Sequence, residues 1–340
     1  MTRRHYAARL AGSGHPLEVR PVEPRIPGAG HVRIDVRASG VCGADRASLR
    51  EADPVLGLPH VPGHEIAGVV AEVGPLAGDW KAGDRVAVGW FGGSCGECIA
   101  CTLDDVVHCR RRQVPGQSYD GGWATTVTVP AASLARVPDE LSLVDAAPFG
   151  CAGVTAFNAV RRFAAPTGAR IAILGLGGVG HLAVQFAAAM GHEVIVLNRG
   201  PEKRHAALCL GAQAYVDLDL HSPGPALRAL GLVDMVISTA SSSDVLVDVM
   251  DGLTARGQLV VVGFDASPLE LDLSRLVAHS RSVAGQITGS PGETEAAMAF
   301  AVTNDVRPVV RISPLSEIGE AVAAGPFASS AFRTVLVPDA

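Results

Sequence analysis

Four cysteines lie close together in a glycine-rich segment, at Cys95, Cys98, Cys101 and Cys109. The spacing C-x2-C-x2-C-x7-C lets short loops bring four thiolates to the corners of a tetrahedron around one zinc ion. The alternative is a set of free thiols, which is disfavoured because four soft ligands side by side would be reactive without a metal. Four sulfur ligands leave no open coordination position, so the spacing predicts a structural zinc in a lobe of about residues 92–112.

Three further potential ligands are scattered along the chain: Cys42 in "GVCGAD", His64 in "PGHE" and Cys151 in "FGCAGVT". Each stands beside glycines that permit tight turns. A single cysteine or histidine is more often a packed side chain than a metal ligand. Spacing alone therefore leaves the role of each of the three open.

A glycine-rich loop, "GLGGVG", contains Gly175, Gly177, Gly178, Val179 and Gly180. It follows an apolar segment typical of a strand and precedes a segment typical of a helix. In that setting the loop lets a pyrophosphate approach the backbone at a helix N-terminus. The loop therefore predicts binding of a dinucleotide.

Taken together, these motifs resemble those of the zinc-containing medium-chain dehydrogenases, closest to the branch of cinnamyl-alcohol-dehydrogenase-like and bacterial alcohol dehydrogenases. The resemblance covers nearly the whole chain. It implies that Cys42, His64 and Cys151 bind a catalytic zinc with one open position, and that the four-cysteine lobe binds a second zinc. At the open position zinc would polarise the oxygen of a carbonyl or alcohol substrate.

The same resemblance suggests roles for two carboxylates. Glu65 either enters the zinc coordination sphere transiently or stays outside it as a supporting carboxylate, and the sequence leaves both open. Asp45 falls where the family has a carboxylate that orients the ligand histidine, a kind of contact that typically matters ~10–100-fold.

The end of the second strand of the cofactor domain bears on the choice of nucleotide. NAD-preferring members have an acidic residue there for the ribose diol, whereas this chain has Asn198. Arg199 follows, and Lys203 and Arg204 lie one helical turn further on, which favours the 2′-phosphate of NADP(H) over NAD(H). The alternative is that Arg199 stacks on adenine, that Lys203 is simply exposed, and that either nucleotide is used.

Other positions complete the expected cofactor and substrate sites. Thr155 and Arg333 match family positions near the nicotinamide and the pyrophosphate, and Val262 and Gly263 are also expected at the cofactor. Aromatic walls of the substrate pocket are expected at Trp90 and Phe91, with core packing as the alternative. His181 and Cys209 are interpreted as structural, His181 being close to the phosphate.

The chain departs from the family at its proton relay. Members usually have Ser or Thr two residues after the first zinc cysteine and often His five residues after it, whereas this chain has Ala44 and Ala47. Neither side chain carries a proton, so Ser48 or a water chain would have to substitute. The main expectation is NAD(P)H-dependent oxidoreduction of an aldehyde or ketone, or of a primary or secondary alcohol. The alternatives are NADPH-dependent reduction of an iminium or other activated double bond and, from another class, a catalytically silent cofactor-binding protein.

The elements that position these residues fall into two patterns. Short alternating segments between His31 and Val88 predict a small β-rich domain, and strand, glycine turn and amphipathic helix repeat from Arg170. The expected fold class is α/β, with a GroES-like β-rich catalytic domain of residues 1–152 and 287–340 and a Rossmann doubly wound parallel-sheet domain of residues 153–286. "FRTVLVP" is expected to return to the first domain as a strand. Pro201 is placed in the first turn of one helix, and another helix is placed at about Val245 to Leu253.

The composition of the chain limits the classes of partner that it is expected to bind. The net charge is −6 and no basic stripe is present, which disfavours nucleic acid. No run approaches ~20 apolar residues, so a membrane span is not expected, and the seven cysteines without a secretion signal suggest the cytoplasm. A small-molecule alcohol, carbonyl or iminium substrate and a homodimer or homotetramer are expected from the resemblance.

Overall fold

A computed structural model describes residues 4–12, 16–45, 49, 60–163, 167–240, 243–263, 268–324 and 331–339. The chain forms two compact units. The first comprises Met1–Val154 and Thr288–Ala340, and the second comprises Thr155–Ile287. These boundaries lie one or two residues from the positions expected from the sequence.

The first unit is built on β-strands. Within the described residues, β1 pairs with β2, and a seven-stranded sheet has the order β14-β15-β3-β4-β5-β7, with β6 also paired to β3. The strands are β1 His5–Leu10, β2 Leu17–Val22, β3 His31–Val41, β4 Glu65–Val73, β5 Arg85–Val88, β6 Thr126–Pro130, β7 Ala135–Arg136, β14 Val310–Pro314 and β15 Arg333–Val337.

The period-two pattern in β3 accounts for the core of this sheet. Val32, Ile34 and Val36 are all at most 2% exposed and pack in one apolar cluster with side chains of β4, β5 and β6. The expected return of the C-terminal segment is confirmed, because β15 pairs antiparallel with the end of β3 and parallel with β14.

The second unit contains a parallel sheet with the order β10-β9-β8-β11-β12-β13, six strands within the part of the chain that the structure describes. This order, 3-2-1-4-5-6 along the chain, is that of dinucleotide-binding folds and confirms the doubly wound expectation. Its strands are β8 Arg170–Leu174, β9 Glu193–Asn198, β10 Ala214–Asp217, β11 Val233–Ser238, β12 Leu253–Val261 and β13 Ser282–Gly285.

Ten α-helices accompany the sheets within the described ranges: α1 Ile99–Thr102, α2 Leu143–Ala146, α3 Ala152–Arg161, α4 Gly180–Ala189, α5 Arg204–Cys209, α6 Pro223–Ala229, α7 Ser243–Val249, α8 Leu273–Val277, α9 Pro291–Thr303 and α10 Ile318–Ala324. Among these residues no single helix is long and apolar enough to span a membrane. A pair bent by 60°, Leu143–Gly150 with Ala152–Arg161, meets the length and hydropathy criteria only when taken together.

Two expected helix boundaries are wrong. Pro201 precedes α5, because residues 201–204 form a tight turn in which the Arg204 N–H donates to the Pro201 carbonyl. Leu253 belongs to β12, since a 3-10 turn at Met250–Gly252 ends the preceding helix and places Leu253 opposite Val233.

Candidate active site and metal centres

The antiparallel pairing of β3 and β4 brings two separate motifs together. Gly40 pairs with Glu65, so Cys42 just beyond β3 lies beside His64 just before β4. Cys151 joins them from the junction between a 3-10 turn and α3. One ligand atom from each of Cys42, His64, Glu65 and Cys151 lies within 4.8 Å of all the others.

Asp45 fixes the orientation of the His64 ring. Its Oδ1 lies 2.8 Å from His64 Nδ1, and its Oδ2 accepts a 2.8 Å hydrogen bond from the backbone N–H of Cys42. A neutral ring therefore has its proton on Nδ1 and its lone pair on Nε2. Nε2 is buried and has no hydrogen-bond partner among the residues that the structure describes, as suits a nitrogen that binds a metal.

The negative charges of Asp45 and Cys42 favour a cation in this cluster. Burial opposes protonation of His64, but the charges of Asp45 and Cys42 outweigh it and raise the pKa of His64 to about 10. The hydrogen bond from Cys151 holds the pKa of Cys42 well below its usual value, and the Cys42 thiolate and burial raise the pKa of Cys151. One histidine and two cysteines form a donor set that zinc accepts with one position open.

A buried ion pair adjoins this cluster. Arg333 donates from Nη2 to Glu65 Oε1, and the two side chains are 3% and 0% exposed. Within the described part of the chain, the other carboxylate oxygen of Glu65 has no hydrogen-bond partner. Gly40 makes room for it, because a Cβ at Gly40 would lie 1.9 Å from Glu65 Oε2. The Arg333 guanidinium is thus ion-paired with Glu65. Its expected contact with the pyrophosphate stays a prediction.

The expected substrate-pocket residues separate into different environments. Trp90 packs edge-on against His64, with ring centroids 4.9 Å apart and planes at 88°. Phe91 is 3% exposed and lines a narrow gap with Ser133 and Pro291. Ala44 lies in the turn after Cys42, whereas Ala47 and Ser48 fall outside the described residues.

The four-cysteine lobe converges as a second cluster. Sulfur separations are 3.5 Å for Cys95 and Cys109, 3.6 Å for Cys98 and Cys101, 3.8 Å for Cys98 and Cys109, and 3.9 Å for Cys95 and Cys101. Zn–S bonds of about 2.3 Å in a tetrahedron require sulfurs about 3.8 Å apart. Backbone N–H groups, first that of Glu97, lower the pKa of Cys95 to about 6, while burial raises that of Cys109 to about 11. The donor set fits zinc.

In the second unit, the glycine loop joins β8 to α4. Gly175 has φ +93°, and a Cβ at Gly180 would lie 2.0 Å from the Gly175 carbonyl oxygen, so both positions require glycine. The Gly177 carbonyl accepts 3.0 Å hydrogen bonds from the backbone N–H and Nδ1 of His181. Burial lowers the pKa of His181 to about 4, so its ring is neutral and supports the loop.

Asn198 and Lys203 hold the peptide groups of Leu176 in this loop. Asn198 Oδ1 accepts from the Leu176 N–H at 3.0 Å, and Lys203 Nζ donates to the Leu176 carbonyl at 2.8 Å. Burial lowers the pKa of Lys203, which is half-buried. The alternative in which Lys203 is simply exposed is therefore wrong. Arg199 is exposed.

Three further residues expected at the cofactor, Val262, Gly263 and Thr155, lie in the described part of the second unit. The backbone N–H groups of Val262 and Gly263 both donate to the Ser238 carbonyl beyond the end of β12, and Gly263 has no room for a Cβ against Thr239. Thr155 is 6% exposed within α3. Cys209, interpreted as structural from the sequence, is the last residue of α5, and that interpretation stays a prediction.

Cys209 is exposed, and its sulfur lies 3.7 Å from His205 Nε2 on the same short helix.

Two residues of β10 that hold the segment after β9, Tyr215 and Asp217, were not predicted from the sequence. The one sequence signal for them is their position on the neighbouring strand.

Comparison with known proteins agrees with this arrangement. A family model described as the alcohol dehydrogenase GroES-like domain matches residues 28–139, and one described as zinc-binding dehydrogenase matches residues 178–303. An alcohol dehydrogenase, notN, of Aspergillus sp. (strain MF297-2) is 36% identical, over 96% of each chain. The NADP-dependent alcohol dehydrogenase C 1 of Mycolicibacterium smegmatis is 35% identical, over 93% of this chain and 92% of its own. The solved cinnamyl alcohol dehydrogenase of Sorghum bicolor superposes with a TM-score of 0.87 at 33% identity, covering 98% of this chain and 97% of its own.

Proposed function

The chain belongs to the zinc-containing medium-chain alcohol dehydrogenases, and on that premise we propose that it transfers a hydride between NADPH and an aldehyde or ketone, and in reverse between an alcohol and NADP⁺. It is an NAD(P)-dependent alcohol dehydrogenase by family. The observation that carries the proposal is the convergence of Cys42, His64 and Cys151, with the buried Nε2 of His64 lacking a hydrogen-bond partner among the described residues.

These three side chains would hold the catalytic zinc. When bound, zinc acts as a Lewis acid toward the oxygen of the substrate. Asp45 keeps the proton of His64 on Nδ1, so Nε2 remains available to the metal. Arg333 holds one oxygen of Glu65, which supports the interpretation of Glu65 as a carboxylate outside the resting coordination sphere.

The preference for NADPH is proposed from the end of β9. An Asp or Glu there would bind the ribose diol of NADH, whereas Asn198 uses its amide oxygen on the Leu176 N–H. Arg199 is exposed beside it, and Lys203 and Arg204 follow, so the segment is cationic where a 2′-phosphate would lie. The NADP-dependent relative from Mycolicibacterium smegmatis supports the same preference.

A second candidate reaction follows from Ala44. Reduction of a carbonyl places two electrons on carbon and requires one proton on oxygen, which a hydroxyl at position 44 would help to deliver. Hydride addition to an iminium carbon gives a neutral amine with no proton added. The methyl side chain of Ala44 therefore suits an iminium substrate as well as a carbonyl whose proton comes from water.

We also propose a homodimer formed through the second unit. Within the described residues β13 is the last strand of its sheet and presents an open edge. Leu273, Val277, Val283 and Ile287 around it are 70%, 79%, 36% and 39% exposed. Light scattering of the native protein and of Val283→Lys tests this: a native monomer would refute it, and a dimer weakened by the lysine would support it.

The function is tested by oxidation of NADPH and of NADH by zinc-loaded protein, with aromatic and aliphatic aldehydes and one cyclic iminium as substrates. Aldehyde turnover that prefers NADPH supports the main proposal. Turnover of the iminium alone supports the second candidate. Tight NADPH binding without turnover of any of these substrates would refute both and favour the silent cofactor-binding protein.

A further inference from the structure

Tyr215 contacts the segment of residues 198–204, which is proposed to meet the 2′-phosphate. It projects from β10, which pairs in parallel with β9, and is 7% exposed. Its hydroxyl donates to the Gly200 carbonyl at 2.5 Å and accepts from Asn198 Nδ2 at 3.3 Å. A single hydroxyl thus joins the last residue of β9 to Gly200 in the segment that follows it.

The direction of these bonds agrees with the orientation of the Asn198 amide, whose Nδ2 also donates to the Arg199 carbonyl at 2.8 Å. A phenol has one proton, and the Gly200 carbonyl can only accept, so the Tyr215 proton lies between those two groups. The Tyr215 oxygen must then accept a proton from Asn198, which requires the NH₂ side of the amide. The Tyr215 hydroxyl and the Arg199 carbonyl thus both hold the NH₂ side, and the amide oxygen accepts from the Leu176 N–H at 3.0 Å.

Leu176 is the second residue of the glycine loop, and both of its backbone polar groups are held by side chains. Asn198 accepts from the N–H, and Lys203 donates to the carbonyl. The chain of contacts from Tyr215 through Asn198 to Leu176 therefore connects the segment of Arg199 and Lys203 to the loop expected to receive the pyrophosphate.

Two further contacts hold the segment in place from β10 and α5. Asp217, 5% exposed, accepts from the Gly200 N–H at 2.9 Å, so Gly200 is fixed through both its N–H and its carbonyl. The Arg204 guanidinium lies 5.1 Å from the centre of the Tyr215 ring. The segment is thus fixed before any nucleotide arrives, which lowers the entropy cost of binding.

We propose that Tyr215 is a positioning residue for the nucleotide: by holding the Asn198 amide together with the Arg199 carbonyl, and by fixing the Gly200 carbonyl, it keeps the 2′-phosphate segment and the glycine loop in their binding arrangement. This inference rests on the proposed cofactor function. It predicts that Tyr215 acts on nucleotide affinity and selectivity without touching the reacting atoms.

The experiment compares zinc-loaded wild type with Tyr215→Phe, Asn198→Ala and the double variant. Nucleotide dissociation constants are measured by fluorescence titration, with KM and kcat alongside. Loss of a hydrogen-bonded hydroxyl from this network is expected to weaken NADPH binding ~5–10-fold and NADH binding less, with kcat within about 2-fold. Because Tyr215 acts on the glycine loop through Asn198, the loss of affinity in the double variant should be smaller than the product of the two single losses.

Tyr119→Phe is the matched control. Tyr119 lies in the first unit, is half-buried and donates its hydroxyl to the Gly92 carbonyl at 2.8 Å. A similar loss of thermal stability with unchanged nucleotide affinity shows that the effect of Tyr215 is local. A folded Tyr215→Phe with wild-type affinity, or full multiplicative losses in the double variant, would overturn the inference. A wild type that prefers NADH would instead refute the NADPH proposal, and the Tyr215 inference would then be judged by the same losses measured with NADH.

Discussion

His64 Nδ1 lies 2.8 Å from Asp45 Oδ1, and the two side chains are only 1% and 3% exposed. Asp45 also accepts from the Cys42 N–H, so one carboxylate fixes both the backbone of the first cysteine ligand and the ring of the histidine ligand. A contact of this kind makes the expected metal site rigid before metal binds.

Asp45→Asn should therefore weaken the site. An amide that keeps its oxygen toward Cys42 presents its NH₂ group to His64 Nδ1, which favours the proton on Nε2 and blocks the metal-binding nitrogen. We expect zinc affinity to fall ~10–100-fold, measured by competition with a chelator. Asp139→Asn is the control, because the Asp139 side chain is 95% exposed. Unchanged zinc affinity in Asp45→Asn would refute the role of Asp45.

The Glu65–Arg333 ion pair should contribute to stability because both side chains are buried. Glu65→Gln leaves the Arg333 guanidinium buried without its counter-charge, which typically costs ~3–5 kcal/mol. Glu72→Gln is the matched control, since Glu72 pairs with Arg33 at 3.0 Å but is 42% exposed and should matter by less than ~1 kcal/mol. Denaturant unfolding of zinc-loaded protein compares the two, and equal losses would contradict the prediction.

How much the sequence predicted depends on how local each feature is. The cysteine lobe and the glycine loop are contiguous motifs, so spacing alone indicated their chemistry. Arg333 and Glu65 meet across 268 positions of the chain, and no local pattern signals which partner a buried arginine takes. Tyr215 was missed because its role arises from the neighbour of β9 in the sheet. The boundary at Pro201 was wrong because a turn that satisfies its own hydrogen bond competed with the first helical turn.

The four-cysteine lobe should hold a zinc that supports folding. Cys98→Ser removes one thiolate from the second cluster and should lower the bound zinc from two per chain to one, with a clear fall in melting temperature. Cys209→Ser is the matched control, because Cys209 is exposed and lies outside both clusters. Elemental analysis gives the count. Two zinc ions in Cys98→Ser, or a loss in Cys209→Ser, would contradict the assignment.

Arg199 should discriminate between the two nucleotides. Arg199→Ala removes an exposed guanidinium expected to pair with the 2′-phosphate, which NADH lacks. We expect kcat/KM for NADPH to fall ~10-fold and that for NADH to change by less than ~2-fold. Arg20→Ala, an exposed arginine of β2 in the first unit, is the control. Equal losses for both nucleotides would support the alternative in which Arg199 stacks on adenine.

Ala44 gives the most direct test of how the enzyme obtains its proton. Ala44→Ser places a hydroxyl two residues after Cys42, where the family usually has one, and leaves the ligands of both clusters unchanged. If aldehydes are reduced with a proton from water, the new hydroxyl should raise kcat for aldehydes, ~10-fold at most given the missing histidine at position 47. The cyclic iminium serves as the internal control, because its reduction requires no added proton and its rate should not change. A gain with both substrates would show that the serine acts on packing, and no gain with the aldehyde would show that proton delivery does not limit this enzyme.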